Sequence, residues 1–145
     1  MEETFHYKVN VKWDEGRIGT LSSDKFTDIK VATPPEFTKG VDGIWSPEHL
    51  LVSSVAICLM TTFLAVAENS SLPFNSFDCE ADGKVEKVEG KLMVSEIELR
   101  PKVTIPDEKY REKTQRIVEK SEKACLISNS VKSRIILNPS VCVKA

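Results

Sequence analysis

The feature of this chain that most restricts its fold is a long uncharged segment near the middle of the sequence. Residues 50–67 contain no charged side chain, and Glu48 and Glu68 bracket them. Ser46 and Pro47 form a strong helix start, because serine caps a helix and proline fits its first position. Apolar side chains cover nearly the whole circumference of the predicted helix, so we expect protein to surround it.

The same segment has about the length of a membrane span. No lysine or arginine lies close by to set a topology, and four hydroxyl side chains lower its hydrophobicity, namely Ser53, Ser54, Thr61 and Thr62. We therefore expect a core helix of a soluble fold and no membrane partner. A domain this small can cover such a helix by wrapping its sheet around it or by packing it against a partner subunit.

The segment before this helix predicts three strands and a loop. Apolar residues alternate with polar ones from Phe5 to Trp13, which is typical of a half-buried strand. Two further strands are predicted at 17–22 and 26–31. The stretch 33–45 contains two prolines and two glycines, and it predicts a loop long enough to border a site.

The segment after the helix predicts a hairpin, a second helix and a closing strand. The hairpin turns at Glu89-Gly90, and its second strand changes parity around Ser95-Glu96, as a β-bulge would cause. An amphipathic helix opens at Pro106-Asp107, and the closing strand is predicted at 131–137. The order β-β-β-α-β-β-α-β indicates one α+β domain, residues 1–145, with mainly antiparallel pairing.

Bulk properties exclude several classes of function. The chain carries 20 Lys and Arg against 22 Asp and Glu, a net charge of −2, which argues against a nucleic-acid partner. The acidic N-terminus predicts no signal peptide, so we expect a cytoplasmic protein. The four cysteines include no CxxC pair and no adjacent histidine cluster, so we expect no structural zinc site.

Two of the cysteines fall on helix faces that should pack inward. Cys58 lies in the middle of the uncharged helix, and Cys125 lies near the end of the amphipathic one. From the residues alone, two interpretations stay open, inert core thiols or a redox-active pair. The helix dipole fades within the first turn, so an active Cys58 would need a cation from elsewhere. Arg17 is one candidate, and Arg134 is the alternative.

Three segments resemble one known family, in the family's order and at similar spacing. They are Gly16-Arg17-Ile18-Gly19 with its continuation to Pro34, Ser46-Pro47-Glu48-His49-Leu50-Leu51 with Cys58 ten residues after Glu48, and Ala124-Cys125-Leu126-Ile127-Ser128-Asn129. The chain thereby resembles the OsmC/Ohr family, which comprises osmotically inducible protein C and the organic hydroperoxide resistance proteins.

The resemblance implies a role for each matched residue. Cys58 matches the peroxidatic cysteine, and Cys125 matches the resolving cysteine. Arg17 matches the arginine that stabilises the thiolate, and Glu48 matches the carboxylate that orients that arginine. Leu126 stands where the family usually has proline.

The resemblance also implies a fold, an activity and partners. Family members wrap mainly antiparallel sheets around two central helices in an intertwined homodimer, with the site at the interface. The implied activity is that of a peroxidase that reduces alkyl or fatty-acid hydroperoxides, with a thiol reductant such as a lipoylated protein. The resemblance implies no metal and no bound cofactor. The alternative is a non-catalytic dimer that binds a lipid-like molecule in an apolar groove.

Overall fold

The computed structural model describes residues 3–145, and the chain divides after Leu50 into two compact units. The first unit contains a three-stranded antiparallel sheet in the order β1-β2-β3. Its strands are β1 (Asn10–Glu15), β2 (Ile18–Ser22) and β3 (Ile29–Ala32). Gly16 has a φ of +51° in the β1–β2 turn, a conformation that glycine adopts at little cost.

Helix α1 (Pro47–Asn69) begins where the sequence predicts. The hydroxyl of Ser46 accepts a hydrogen bond from the backbone N–H of His49 at 3.1 Å, which is the interaction of an N-cap. The side chain of Ser46 is fully buried. The helix continues into the second unit.

The second unit, Leu51–Ala145, is built on one long hairpin. Strand β4 (Ser76–Val88) pairs antiparallel with β5 (Lys91–Ile105). Lys84 lies opposite Glu96, but Val85 lies opposite Val94. The extra residue between them is Ser95, which confirms the predicted β-bulge.

The remaining elements of this unit lie after the hairpin. A short 3₁₀ turn (Glu108–Tyr110) precedes α2 (Arg111–Lys123), and a second one (Ser128–Ser130) follows it. Two strands then pair with β5 in parallel, namely β6 (Arg134–Leu137) and β7 (Ser140–Val143).

The core of the second unit forms between α1 and the hairpin. Val55, Leu59, Phe63 and Ala67 line one face of α1 and have no exposed surface. This face joins two apolar clusters, which also contain Ile97, Leu99, Val103 and Ile105 of β5. Gly83 of β4 lies against Val52, and a Cβ at Gly83 would overlap that side chain. The glycine therefore lets β4 approach the helix closely.

The predicted α+β class and element order are confirmed, with two corrections. The C-terminal tail forms an additional strand, β7, and both β6 and β7 are parallel to β5. The first strand was predicted at Phe5–Trp13 and half-buried, but β1 begins at Asn10 and all its residues are exposed. Among the residues that the structure describes, none covers that surface, so the alternation gives only the spacing of its side chains. That residues 1–145 form one domain stays a prediction.

The face of α1 opposite the core is apolar and exposed. Ile57, Met60 and Leu64 are 55%, 37% and 41% exposed, although the predicted helix was expected to be covered all round. By length and composition, α1 could cross a membrane, but a core helix of a soluble protein passes the same test. This face is therefore removed from water only if another molecule, or a part of the protein outside residues 3–145, covers it.

Candidate functional site

The structure brings Cys58 and Cys125 together in the second unit. Cys58 is half-buried on α1, and Cys125 is fully buried two residues beyond the end of α2. The two thiols are free, and each is close enough to shift the pKa of the other. Ile127 helps to hold them together, because its side chain packs against the cluster that contains Val55 and Leu59 of α1.

Neutral hydrogen-bond donors affect the thiol of Cys58. The backbone N–H groups of Ile127 and Leu126, in the turn that follows Cys125, act to lower its pKa. The hydroxyl of Thr62, one helical turn along α1, lies 4.0 Å from the sulfur. Each of these donors is electrically neutral, and each interacts more strongly with a thiolate than with a thiol.

The surroundings shift the pKa values of the two thiols in opposite directions. Burial acts to raise the pKa of Cys58, but hydrogen bonds from Cys125, Ile127, Thr62 and Leu126 together lower it below the ordinary value for cysteine. Burial raises the pKa of Cys125, and the hydrogen bond to Cys58 raises it further. Cys58 is therefore the thiol of this pair that ionises first.

The first unit contains Arg17 and Glu48. Arg17 is exposed in the β1–β2 turn and lines a cavity of about 480 Å³ together with Trp13 and Pro47. Glu48 lies in the first turn of α1, and its buried Oε1 has no hydrogen-bond partner among residues 3–145. Within that part of the chain neither residue forms a salt bridge. Their predicted roles stay predictions.

The other sequence candidates lie in ordinary structural settings. Cys79 is on β4, and burial raises the pKa of its thiol. Cys142 is half-buried on β7. Arg134 is on β6, where it faces Glu96 across the sheet at 3.8 Å. Among residues 3–145 there is no cluster of histidine, cysteine and acidic side chains that could hold a metal ion.

Sequence reasoning missed the donors from the turn after Cys125. Leu126 and Ile127 act through their backbone N–H groups, and a backbone group carries no residue-type signal. The only hint in the sequence was Leu126 itself, because leucine has an N–H that proline would lack.

The opposite pKa shifts predict that Cys58 reacts with an alkylating agent at lower pH than the other thiols. The thiolate is the nucleophile, so a lowered pKa leaves more of Cys58 reactive near neutral pH. Iodoacetamide labelling across pH 5–9 is read peptide by peptide. The pH at which Cys58 is half labelled (its transition) should lie below the corresponding pH for Cys125 and Cys79. Urea-unfolded protein is the control, in which the transitions should converge. A Cys58 transition at or above that of Cys79 would contradict the prediction.

The fold and the cysteine pair define one class of protein. It is an α+β protein in which the long helix α1 carries one thiol and a second thiol follows α2. The family model described as OsmC-like protein matches residues 40–140, and the chain therefore belongs to the OsmC family. The resemblance of the sequence to the OsmC/Ohr family is thus confirmed.

Individual relatives agree with this assignment. The chain is 24% identical over 143 residues to YmaD of Bacillus subtilis strain 168, an uncharacterized protein. The match covers 97% of this chain and 94% of YmaD. The structure of the OsmC-like protein of unknown function VCA0330 from Vibrio cholerae superposes with a TM-score of 0.86 at 21% identity, over 94% of this chain and 99% of that one.

Proteins named for peroxide resistance share the same fold. The structure of the organic hydroperoxide resistance protein OhrB of Bacillus subtilis gives a TM-score of 0.71 at 21% identity, over 94% of this chain and 98% of that one. A structure of an organic hydroperoxide resistance protein from Elizabethkingia anophelis gives 0.75 at 20% identity, over 99% and 100%. At these identities the likeness shows the fold alone.

Proposed function

We propose that this protein is a cytoplasmic thiol peroxidase that reduces organic hydroperoxides with Cys58 and Cys125. The observation that supports this most directly is the paired thiols with opposite pKa shifts. A peroxidatic cysteine needs a thiolate at neutral pH, and a resolving cysteine needs to lie within bonding reach of it. The family assignment agrees, because several proteins with this fold are named organic hydroperoxide resistance proteins.

The reaction begins at the thiolate of Cys58. The sulfur attacks the outer oxygen of the hydroperoxide, the O–O bond breaks, and the released alkoxide takes a proton and leaves as the alcohol. Cys58 is now a sulfenic acid. The thiolate of Cys125 attacks this sulfur and displaces hydroxide, which takes a proton and leaves as water. A Cys58–Cys125 disulfide remains, and two electrons and two protons from an external dithiol return it to two thiols.

The pKa of Cys125 gives the two steps an order. Burial raises that pKa first, and the hydrogen bond to Cys58 and the charge of Cys58 raise it further. Once Cys58 is a sulfenic acid, it is no longer a charged neighbour. Cys125 then ionises more easily, at the stage when its thiolate is required.

Arg17 and Glu48 complete the proposed site. A guanidinium close to Cys58 would favour the thiolate and hold a peroxide oxygen. The buried, unpartnered Oε1 of Glu48 supports this assignment, because a buried carboxylate oxygen needs a donor and a guanidinium supplies one bidentately.

The proposed substrates are alkyl or fatty-acid hydroperoxides rather than hydrogen peroxide. The turn that follows Cys125 is apolar, because Ile127 packs against the cluster that contains Val55 and Leu59, and Leu126 is largely exposed. An apolar substituent on the peroxide gains free energy by leaving water beside such groups. The proposed reductant is a dithiol, such as the lipoyl group of a protein.

A homodimer is proposed because both units expose apolar side chains that a single chain leaves in water. Trp13 of β1 is 73% exposed, and Ile57 and Leu64 of α1 are about half exposed. Apolar surface of this extent is typical of an interface between subunits. A second copy is the occupant we propose, since the family resemblance implies an intertwined dimer with the site at its interface.

We expect a dimer that does not dissociate into folded monomers at nanomolar concentration. Sedimentation velocity with fluorescence detection measures this directly. The double variant Ile57→Lys and Leu64→Lys should lose the dimer, because it would bury two charges at the interface. Glu68→Gln, on the same helix but polar in the wild type, is the matched control and should sediment as wild type. A native, stable monomer of the wild-type protein would contradict the prediction.

Steady-state assays test the activity itself. With dihydrolipoamide as reductant, tert-butyl or fatty-acid hydroperoxide should be consumed with a higher kcat/KM than hydrogen peroxide. The alternative, a non-catalytic dimer that binds a lipid-like molecule, requires no reactive thiolate. Lack of turnover with every peroxide, together with four sluggish thiols, would favour that alternative.

A further inference from the structure

The turn between β1 and β2 is closed by a side-chain hydrogen bond directly before Arg17. The indole N–H of Trp13 donates to the backbone carbonyl of Gly16 at 3.0 Å. Trp13 is 73% exposed, so core packing does little to fix its ring. The hydrogen bond therefore ties the indole to the turn, and the turn to the indole.

The strand next to the turn has an anchor of its own. Asp14 is the extra residue of a β-bulge in β1. Its carboxylate accepts a hydrogen bond from the hydroxyl of Thr20 at 2.6 Å and another from the ammonium group of Lys30 at 2.8 Å. These bonds join β1 to β2 and β3 without using Trp13. Removal of the indole N–H should therefore loosen the turn while the sheet stays paired.

Backbone contacts place the turn beside the start of α1. The carbonyl of Arg17 accepts a hydrogen bond from the N–H of Thr33 at 3.4 Å, and the N–H of Ala32 donates to the carbonyl of Trp45 at 2.8 Å. Helix α1 begins two residues after Trp45. Arg17, Thr33 and Pro47 accordingly line the same cavity of about 480 Å³.

We propose that Trp13 is a positioning residue for Arg17, because its hydrogen bond to Gly16 restricts the turn and so limits where the guanidinium can lie. The inference rests on the proposed function, in which Arg17 holds a peroxide oxygen and Glu48 binds the guanidinium. Gly16 has a φ of +51°, and glycine has more backbone freedom than any other residue. Arg17 itself is exposed. A restraint from a neighbouring side chain therefore reduces the conformational freedom that Arg17 would otherwise lose on binding substrate.

Two replacements remove the indole N–H. Trp13→Phe keeps an aromatic ring, and replacement of Trp13 by benzothienylalanine, through nonsense suppression, keeps the shape of the indole and exchanges its N–H for sulfur. Each should lower kcat/KM for tert-butyl hydroperoxide roughly two- to tenfold, the effect of one neutral hydrogen bond. Trp45→Phe is the matched control, since it removes the same N–H from a 53% exposed tryptophan outside this turn. It should retain the wild-type rate.

A double-mutant cycle with Arg17→Ala separates positioning from a general weakening of the fold. If Trp13 acts through Arg17, the double variant Trp13→Phe and Arg17→Ala should be as slow as Arg17→Ala alone. A general weakening would lower the rate by the same factor in both backgrounds. Backbone amide NMR relaxation, measured without peroxide, reports on the turn itself. Both Trp13 variants should show increased ps–ns motion at Gly16 and Arg17.

Several results would overturn the inference. Unchanged motion at Gly16 and Arg17 would mean that the hydrogen bond does not restrain the turn. An equal loss of rate with and without Arg17, or full activity of Arg17→Ala, would mean that Trp13 does not act through Arg17. If Trp13→Phe fails to fold, the benzothienylalanine variant decides. A wild-type protein without peroxidase activity would refute the proposed function, and the relaxation measurement would then decide whether Trp13 restrains the turn.

Discussion

Stoichiometric organic hydroperoxide should convert the reduced protein to one product, a Cys58–Cys125 disulfide within a single chain. Each of the two thiols already shifts the pKa of the other in the reduced structure, and a bridge requires Cα atoms within about 7 Å. Cys79 and Cys142 lie on strands and should remain thiols. Peptide mapping of the oxidised, unreduced protein identifies the crosslink.

Substitution of either cysteine of the pair should stop the cycle at a different step. Cys58→Ser should lower peroxide turnover at least about a thousandfold, since no nucleophilic sulfur remains. Cys125→Ser should permit one turnover and leave Cys58 as a sulfenic acid that is open to over-oxidation. Trapping with a dimedone probe, followed by mass spectrometry, distinguishes the two variants.

The remaining cysteines provide the controls for this prediction. Cys79→Ser and Cys142→Ser should each keep the wild-type rate and the same disulfide. A dominant crosslink to Cys79 or Cys142, or the absence of any disulfide, would exclude the two-cysteine mechanism and favour the ligand-binding alternative.

The parts of the fold that the sequence predicts are those with local causes. The start of α1 follows from Ser46, whose hydroxyl caps the N–H of His49. The bulge at Ser95 follows from a change in strand parity, because one extra residue turns every later side chain to the other face. Both signals lie within a few residues of the feature that they predict.

The parts that the sequence did not predict depend on distant partners. Whether β6 and β7 pair parallel or antiparallel with β5 depends on how the chain returns to the sheet, and no residue in these short strands encodes that direction. Trp13 on β1 and Ile57 on α1 are exposed, and none of the residues 3–145 covers them. The period of a sequence pattern indicates which residues share a face, but it does not identify what covers that face.

The candidate site also contains residues that the sequence predicted and residues that it did not. The family resemblance selected Cys58 and Cys125, and in the structure each thiol shifts the pKa of the other. The effect of the backbone N–H groups of Leu126 and Ile127 on the pKa of Cys58 emerged only from the structure, in which Ile127 packs against an apolar cluster that includes residues of α1. This effect also revises the argument that an active Cys58 needs a cation, because neutral donors already lower its pKa against the effect of burial.

The second prediction with a large effect concerns that cation. Arg17→Ala should slow organic hydroperoxide reduction at least about tenfold at pH 6–7, because a close cation lowers the pKa of an acidic group by about 1–3 units. The free energy of unfolding should change by only about 0.5 kcal/mol, since Arg17 is an exposed turn residue. Single-turnover kinetics across pH and urea unfolding measure the two effects separately.

Arg134→Ala is the matched control, because it removes an arginine that already faces Glu96 on the sheet at 3.8 Å. It should retain the wild-type rate and pH profile. Arg17→Lys tests the geometry further, since lysine keeps the charge but cannot bind a carboxylate bidentately. It should therefore recover part of the thiolate reactivity and little of the peroxide turnover. Full activity of Arg17→Ala together with a loss in Arg134→Ala would transfer the role to Arg134. Full activity in both variants would mean that neither arginine is required and that the neutral donors around Cys58 suffice.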